Sequence, residues 1–462
     1  MRTKSTYIIT FLLILALAAT AALFVLSAAR TRTAEVFADG EEGILTVHFI
    51  DCGQADACVI EFPDDKTMLI DAGEDGESSS GRVISYIKEQ TDIKSFDYFV
   101  MTHSDSDHVG GVVDILSEFP VETSFRPNQE ATHESYDDPA AEADGSKGLH
   151  GDYTGKDTKT YADALAAVYS VSDDVYVFDA ANDEINNITG SATVNGETFE
   201  YTFDFYSPLS DSYSDNNNYS PIMVLSYAGR NIVLSGDAEK QNEEEFVAKV
   251  RDSNDDERYD RFRRGFDADV IKMGHHGSET SSSKAYLEIM CSTESARCNT
   301  YTVFSCGRNL TYGHPRYSTL KRLVDMNFSA ERIERTDKNG NIRFDIRSGG
   351  ELTRTHDKDV TTDVLLTAGE LSPSNSKYEA ESLKTVPDND INPTEPNGSP
   401  VTRPDPEDPG TDPENPFAFL GELTTTQIII IIAIAVVVLI VIIIVCAAVS
   451  RRSKKKKGRR RR

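Results

Sequence analysis

Cysteine is scarce. Six in 462 residues, with no Cys-x-x-Cys pair, are too few for a disulfide scaffold and wrongly spaced for a zinc ribbon or a dithiol redox motif. Basic charge is scarce too. Asp and Glu number 76 against 47 Lys and Arg, a net of −29, and ten basic residues (Arg451, Arg452, Lys454 to Lys457, Arg459 to Arg462) sit at the extreme end, leaving residues 1–450 at −39. A body this acidic repels polyanions at long range, which excludes a general nucleic-acid coating protein but not a local cleft or metal that holds one phosphate. Internal repeats are absent. What the chain has is bulk: its length exceeds one ordinary domain, and 39% hydrophobic residues supply a sizeable core and exclude wholesale disorder.

Two apolar runs bracket the rest. After Arg2 and Lys4, Tyr7 to Ala29 is longer than a usual signal h-region, so residues 1–38 read as a signal peptide or a signal anchor. Ser27 with Ala29, or Val36 with Ala38, offer cleavage sites, and both outcomes stay open. Ile428 to Val449 are 22 consecutive apolar residues, about 33 Å as a helix, which predicts a transmembrane span. The basic tail 450–462 acts as a stop-transfer signal and is expected on the cytoplasmic side, placing residues from about 39 to 423 outside. Ten of the 17 prolines fall between Leu371 and Glu422, predicting an acidic extended stalk over 353–423.

Between these lies a domain expected over 44–352, with residues 130–200 read as an insertion because their apolar periodicity is weak. Strands are expected near Ile44–Ile50, Cys58–Phe62, Met68–Ile70, Tyr98–Met101, Ile222–Ser226, Ile232–Leu234, Val270–Met273, Tyr301–Phe304 and Ile342–Ile346. Helices are expected near Val109–Leu116, Glu239–Val250, Ser282–Ile289 and Ser318–Met326. This is an α/β pattern.

The chemistry sits at strand ends. Thr102 to Gly111 reads T-H-S-D-S-D-H-V-G-G directly after an apolar strand, packing His103, Asp105, Asp107 and His108 into six residues. Imidazole and carboxylate together suit zinc, manganese or iron. An isolated D-x-D is commonly a solvated turn, but two histidines and two aspartates just past a buried strand favour a metal site. Asp237 in S-G-D, His275 and His276 in G-H-H-G-S, and His314 in Y-G-H-P each also follow a strand. Each of these motifs alone is more often a turn than a ligand; their order and placement carry the weight.

This set resembles the metallo-β-lactamase superfamily, and most closely the extracellular hydrolase domain of ComEC-type DNA-uptake proteins. The matching stretches are V-H-F-I-D-C-G-Q-A-D-A from Val47, L-I-D-A-G from Leu69, the Thr102 motif, V-L-S-G-D from Val233, K-M-G-H-H-G-S-E-T-S-S-S from Lys272, Y-G-H-P from Tyr312 and R-T-D-K-N-G from Arg335. The resemblance implies a four-layer αββα sandwich with the metal site at one edge. ComEC-type proteins carry many membrane helices and this chain at most two, so it resembles a stand-alone surface relative of that domain.

Carried over residue by residue, the resemblance makes Asp107, His108 and His276 ligands of one ion, with Asp237 bridging to a second held by His103. Asp105 stands where the superfamily's H-x-H-x-D-H has histidine, which shifts preference toward harder ions such as manganese. Another family histidine is replaced by Asn217 or Asn218. The expected cofactor is therefore a divalent metal, zinc or manganese, as one or two ions. Asp71 is expected to brace the metal loop by hydrogen bonding.

The implied activity is hydrolysis through a metal-bound hydroxide, a phosphodiesterase reaction on extracellular DNA or another phosphodiester polymer such as a cell-wall component. Asp107 or Asp237 would orient the water. In surface phosphorylcholine esterases with a similar H-H-G motif the pair divides labour, which implies that His275 contacts substrate or protonates the leaving group. Lys272, His314 and Asn217 are the remaining substrate-facing candidates. No stable nucleic-acid complex is expected, and the cluster Arg258, Arg261, Arg263 and Arg264 reads better as a salt-bridged helix face than as a DNA cleft. The rival function is a non-catalytic surface binding protein that keeps the fold; β-lactam or thioester hydrolysis is a weaker option. Cys52 and Cys58 flank a turn and are expected to face each other as a disulfide pair.

Overall fold

A computed structural model of the chain describes residues 43–179, 186–252 and 256–372. The expected leader, the stalk beyond Ser372, the apolar run 428–449 and the basic tail lie outside these residues. Among the described residues no helix is long and apolar enough to cross a membrane.

In chain order the strands are β1 (Leu45–Phe49), β2 (Cys58–Glu61), β3 (Thr67–Ile70), β4 (Phe96–Val100), β5 (Val121–Arg126) and β6 (Gln129–Ala131). Next come β7 (Thr154–Lys156), β8 (Asp174–Val177), β9 (Asn187–Val194), β10 (Glu197–Phe205), β11 (Met223–Tyr227) and β12 (Arg230–Leu234). The last are β13 (Val270–Lys272), β14 (Tyr301–Phe304), β15 (Ile333–Arg335), β16 (Ile342–Ile346) and β17 (Leu352–His356). They build an eight-stranded sheet in the order β17-β16-β1-β2-β3-β4-β5-β8 and a seven-stranded sheet in the order β15-β14-β13-β12-β11-β10-β9. Within each sheet one half is antiparallel and the other parallel: β3-β4-β5-β8 in the first, β12-β13-β14-β15 in the second.

The period-two alternation of the strands sorts side chains into three apolar layers. Leu45, Val47 and Phe49 of β1, Met68 and Ile70 of β3, and Met223 and Leu225 of β11 meet between the sheets. Val59, Leu69 and Phe99 point the other way, onto Val83 and Ile87 of the helix Ser80–Gln90, Ile115 of Val112–Glu118 and Leu165 of Lys159–Val171. Val224, Val233 and Ile271 likewise face Phe246 of Lys240–Asp252, Leu287 of Lys284–Met290 and Leu320 of Tyr317–Asp325. The result is helix, sheet, sheet, helix: the α/β sandwich expected from the sequence. Phe344 of β16 joins its two sheets directly, packing edge-on against Phe49 at 6.1 Å and against Tyr301 at 5.2 Å.

Three expectations are corrected. Residues 130–200 are only partly an insertion, because the helix Lys159–Val171 and strands β8 to β10 belong to the main layers. Their weak periodicity has a physical cause: β9 and β10 form the edge of the second sheet, and β9 buries few of its side chains. What remains is the small β6/β7 pair, pinned by the buried Arg126, whose guanidinium donates to both carboxylate oxygens of Asp138 at 2.6 and 2.8 Å. Second, residues 353–372 continue the folded domain rather than open the stalk, since β17 pairs with β16 and Arg335 donates to the Leu365 carbonyl at 3.0 Å. Third, Cys52 and Cys58 are free thiols. Cys52 lies in the helix-facing layer and Cys58 between the sheets, so the first sheet separates them.

Replacing Phe344, which is fully buried, by Ala is expected to destabilise the fold by about 3–5 kcal/mol in urea titrations followed by circular dichroism. A loss under about 1 kcal/mol would mean that the sheets do not depend on this shared core.

Candidate metal centre

Each candidate ligand sits on a loop that leaves the end of a parallel strand. After β3, Asp71 adopts the left-handed region (φ 57°). Its carboxylate accepts from the Thr102 backbone N–H and the Thr102 hydroxyl, both at 2.8 Å, and lies 2.7 Å from His108 Nδ1. Asp71 therefore braces the Thr102–Val109 loop, as expected, and turns His108 Nε2 toward the cavity. After β12, Gly236 (φ 48°) brings Asp237 against the first sheet; a Cβ there would lie 2.9 Å from the Thr102 side chain. After β13, His275 and His276 hold φ values of 48° and 54°. Such conformations are strained for side chains larger than glycine and concentrate at functional sites. His276 Nδ1 donates to the Ser305 carbonyl at 2.9 Å, which leaves Nε2 facing inward.

These loops converge. Metal-capable atoms of Asp56, His108, Asp237 and His276 lie within 4.8 Å of one another, and all four residues are buried. His276 Nε2 is 3.1 Å from Asp107 Oδ2 and 3.3 Å from Asp237 Oδ2, and His108 Nε2 is 3.3 Å from the same Asp237 oxygen. The His103 ring lies beside that of His108, centroids 4.2 Å apart and planes tilted by 55°. His103 Nε2 and Asp237 Oδ1 are buried with no hydrogen-bond partner, a costly state that a cation would relieve. Two imidazoles and two carboxylates around one point, with a third imidazole alongside, fit zinc or manganese. Asp105 stands at the margin: it lies 4.0 Å from His103 Nε2 and takes hydrogen bonds from Lys156 and Asn216 at 3.2 and 3.1 Å.

The electrostatics are those of a cage organised around positive charge. Burial opposes charge on His108 and His276, but Asp237 reverses this for both, aided by Asp71 at His108 and by Asp56 at His276. The pKa of His108 is held well above the usual imidazole value and that of His276 at about 10. Burial and the adjacent His108 instead push His103 down. Despite burial, the neighbouring histidines hold Asp237 and Asp107 well below the carboxylate range.

Above the cage opens a polar cavity of about 960 Å³, lined by Asp105, Asp107, Asp237, His275, His276, His314 and Asn217 among others. His275 is half-exposed to it, with Nδ1 3.0 Å from Glu239 Oε1 and Nε2 3.7 Å from Asp237 Oδ2. His314 is buried, 5.3 Å from the His275 ring. Asn217 reaches Glu239 at 3.4 Å rather than the metal cluster.

Lys272 is a correction. Strand alternation from Val270 turns its side chain between the sheets, where it pairs with Asp56 and donates to the Gly236 carbonyl at 3.1 Å. It lies beneath the cage and outside the cavity lining, so it is no substrate contact. The arginine cluster is ion-paired to Asp256, Asp204 and Asp260 and does not line the cavity either.

Two residues escaped the sequence reading. Asp56 is the buried partner of Lys272, and the signal was available: a lysine forced inward by alternation requires a carboxylate opposite. Glu239, two residues after Asp237, also accepts from the Thr280 hydroxyl at 2.7 Å and fixes His275.

Residues 50–178 match the family model described as the metallo-beta-lactamase superfamily. That stretch of the chain is similar to the superfamily. It is 24% identical over 315 residues to ComE operon protein 3 of Bacillus subtilis, covering 64% of this chain and 32% of that protein. It is 28% identical over 148 residues to competence protein ComA of Neisseria gonorrhoeae, covering 32% of this chain and 18% of the relative. The chain thus spans about a third or less of the length of these relatives. Among solved structures, the metallo-beta-lactamase SMB-1 bound to 2-mercaptoethanesulfonate aligns at 13% identity and a TM-score of 0.27, covering 54% of this chain and 92% of that one. Human tRNase Z, short form, aligns at 16% identity and a TM-score of 0.24, covering 49% and 76%. The resemblance read from the motifs, to the superfamily and to ComEC-type proteins, is borne out.

Raised imidazole pKa values mean that His108 and His276 carry protons at neutral pH until a cation displaces them. This stabilisation of the metal-free fold is complete below an unfolded pKa of about 6.5 and is lost as pH rises through the folded value of about 10 at His276. Metal binding by this domain is therefore expected to release protons and to tighten with rising pH across the neutral range. Calorimetry in buffers of different ionisation enthalpy measures that release, and zero release would contradict the charge balance described. Asp71→Ala is expected to weaken metal affinity about 10- to 100-fold in chelator competition, because His108 loses its brace.

Proposed function

We propose that this chain is a metal-dependent phosphodiesterase whose domain is held outside a membrane by the C-terminal apolar run. The observation that carries the reading is the convergence, beneath a polar cavity, of His108 and Asp107 from the loop after β4, Asp237 after β12 and His276 after β13, with Asp56 beside them. A divalent ion bound there supplies Lewis-acid charge and lowers the pKa of water toward neutrality. The chain's own groups do the rest. His103, His108 and His276 with Asp107 and Asp237 form the cage, and Asp105 at its margin leans the choice toward manganese over zinc. His275, turned by Glu239, presents Nε2 to the cavity and is placed to protonate a leaving group. His314 and Asn217 line the space a substrate occupies.

Phosphodiesters are favoured by the motif likeness to ComEC-type DNA-uptake proteins, which the similarity to a relative named as a competence protein supports. Extracellular DNA and other phosphodiester polymers are both compatible with this support. The acidic body argues for transient rather than stable polyanion binding.

The test is turnover of bis(p-nitrophenyl) phosphate by the purified chain loaded with zinc or manganese. Turnover is expected, with His276→Ala abolishing metal retention and His275→Ala lowering kcat by about 100-fold while metal content is unchanged. Bound metal without turnover of any phosphodiester would favour the binding-protein alternative and overturn the enzyme reading.

A further inference from the structure

Three lysine or arginine side chains reach the lining of the cavity. Two stand on the lip that runs from Arg308 through Tyr312 to Arg316, where Arg308 meets Glu370 at 3.2 Å and Arg316 donates to the Tyr312 carbonyl at 3.0 Å. The third, Lys156, comes from β7 and is engaged differently. Its ammonium lies 3.2 Å from Oδ1 of Asp105, within the metal loop itself.

Asp105 is held in that pairing by a second donor. Asn216, on the turn Asn216–Tyr219, donates to the same oxygen at 3.1 Å, and the buried Gln129 of β6 donates to Asn216 at 2.8 Å. The hydroxyls of Thr154, in β7, and Tyr219, in that turn, bond to each other. The small β6/β7 pair is thereby tied to the cavity wall, and Lys156 at its end is delivered to Asp105 by the fold. This network sets the pair apart from an isolated surface ion pair, which contributes little.

The lysines divide the carboxylates of the centre into two groups. Lys272 balances Asp56 beneath the cage, and Lys156 balances Asp105 at its margin. Asp71 is occupied by Thr102 and by His108 Nδ1. Asp107 and Asp237 meet histidines instead, and their two charges match one divalent ion. Where the superfamily places a further histidine, Asn218 spends its amide oxygen on the Glu239 and Asn242 backbone N–H groups, each at 3.2 Å, and Asn217 turns its amide to Glu239. A second ion would have to share Asp105 with an ammonium, a like-charge neighbour at close range.

We propose that Lys156 is a built-in substitute for a second metal ion: it neutralises Asp105, and the centre holds a single divalent ion. The assignment rests on the metal-centre reading and deepens it, and it gives the β6/β7 pair a role in setting how many ions are bound.

The test counts ions. The full-length chain is saturated with zinc or with manganese, desalted and subjected to elemental analysis, and chelator competition ranks the affinities. Wild type is expected to retain one ion per chain. Lys156→Gln and Lys156→Met, which remove the charge at similar length, are expected to retain two, the second through His103, Asp105 and Asp237, bound at least about tenfold more tightly than wild type binds it. Lys156→Arg should stay at one. Two ions in wild type or in Lys156→Arg, or a single ion in either neutral variant, overturns the proposal. Retention of no ion by any of them overturns the metal-centre reading with it. Turnover of bis(p-nitrophenyl) phosphate by the same wild-type sample reads the phosphodiesterase activity separately, so the two failures are distinguishable.

Discussion

A buried carboxylate is costly unless something positive stands beside it, and this domain buries Asp56, Asp71 and Asp237 together where its two sheets meet. Every other feature of the centre answers that constraint. Lys272 is drawn inward to balance Asp56. His108 is held between Asp71 and Asp237, and His276 between Asp107 and Asp237. The protein's own cations nearly close the balance, yet Asp237 Oδ1 and His103 Nε2 stay unpartnered. A metal ion held there would supply the missing partner for both atoms.

The fold makes that concentration of charge sustainable. Half of each sheet is parallel, so loops from successive strands leave in the same direction, while the antiparallel halves and the shared layer around Phe344 keep the framework closed. Positive φ values at Asp71, His275 and His276 place strain on the residues that must converge. The dense hydrogen bonding around them, such as that of Thr102 to Asp71 and of His276 to Ser305, holds the strain in place.

Much of this was legible beforehand. Strands buried on one or both faces announced themselves by apolar alternation, and the motifs at their ends carry the residues that converge, because metal chemistry demands residue types that surfaces rarely cluster. Edge strands did not: β9 and β10 expose so many polar side chains that they read as loop, and this made the insertion seem larger than it is. Lys272 was misassigned because a lysine after a strand usually reaches water, and only the inward phase of β13 reveals otherwise. Cys52 and Cys58 are near in sequence but lie on opposite faces of one sheet, a separation that turn spacing alone does not encode.

The way the described chain ends has a mechanical side. The Gly369 amide bonds the Pro315 carbonyl at 2.8 Å, the Ser372 amide bonds the Leu310 carbonyl at 2.7 Å, and Leu371 packs on Gly313. The polypeptide thus leaves the domain along the rim that bears Tyr312. Tension arriving from farther down the chain loads that rim before it loads either sheet, which makes the entrance, and not the sandwich of sheets, the first part to feel a tug.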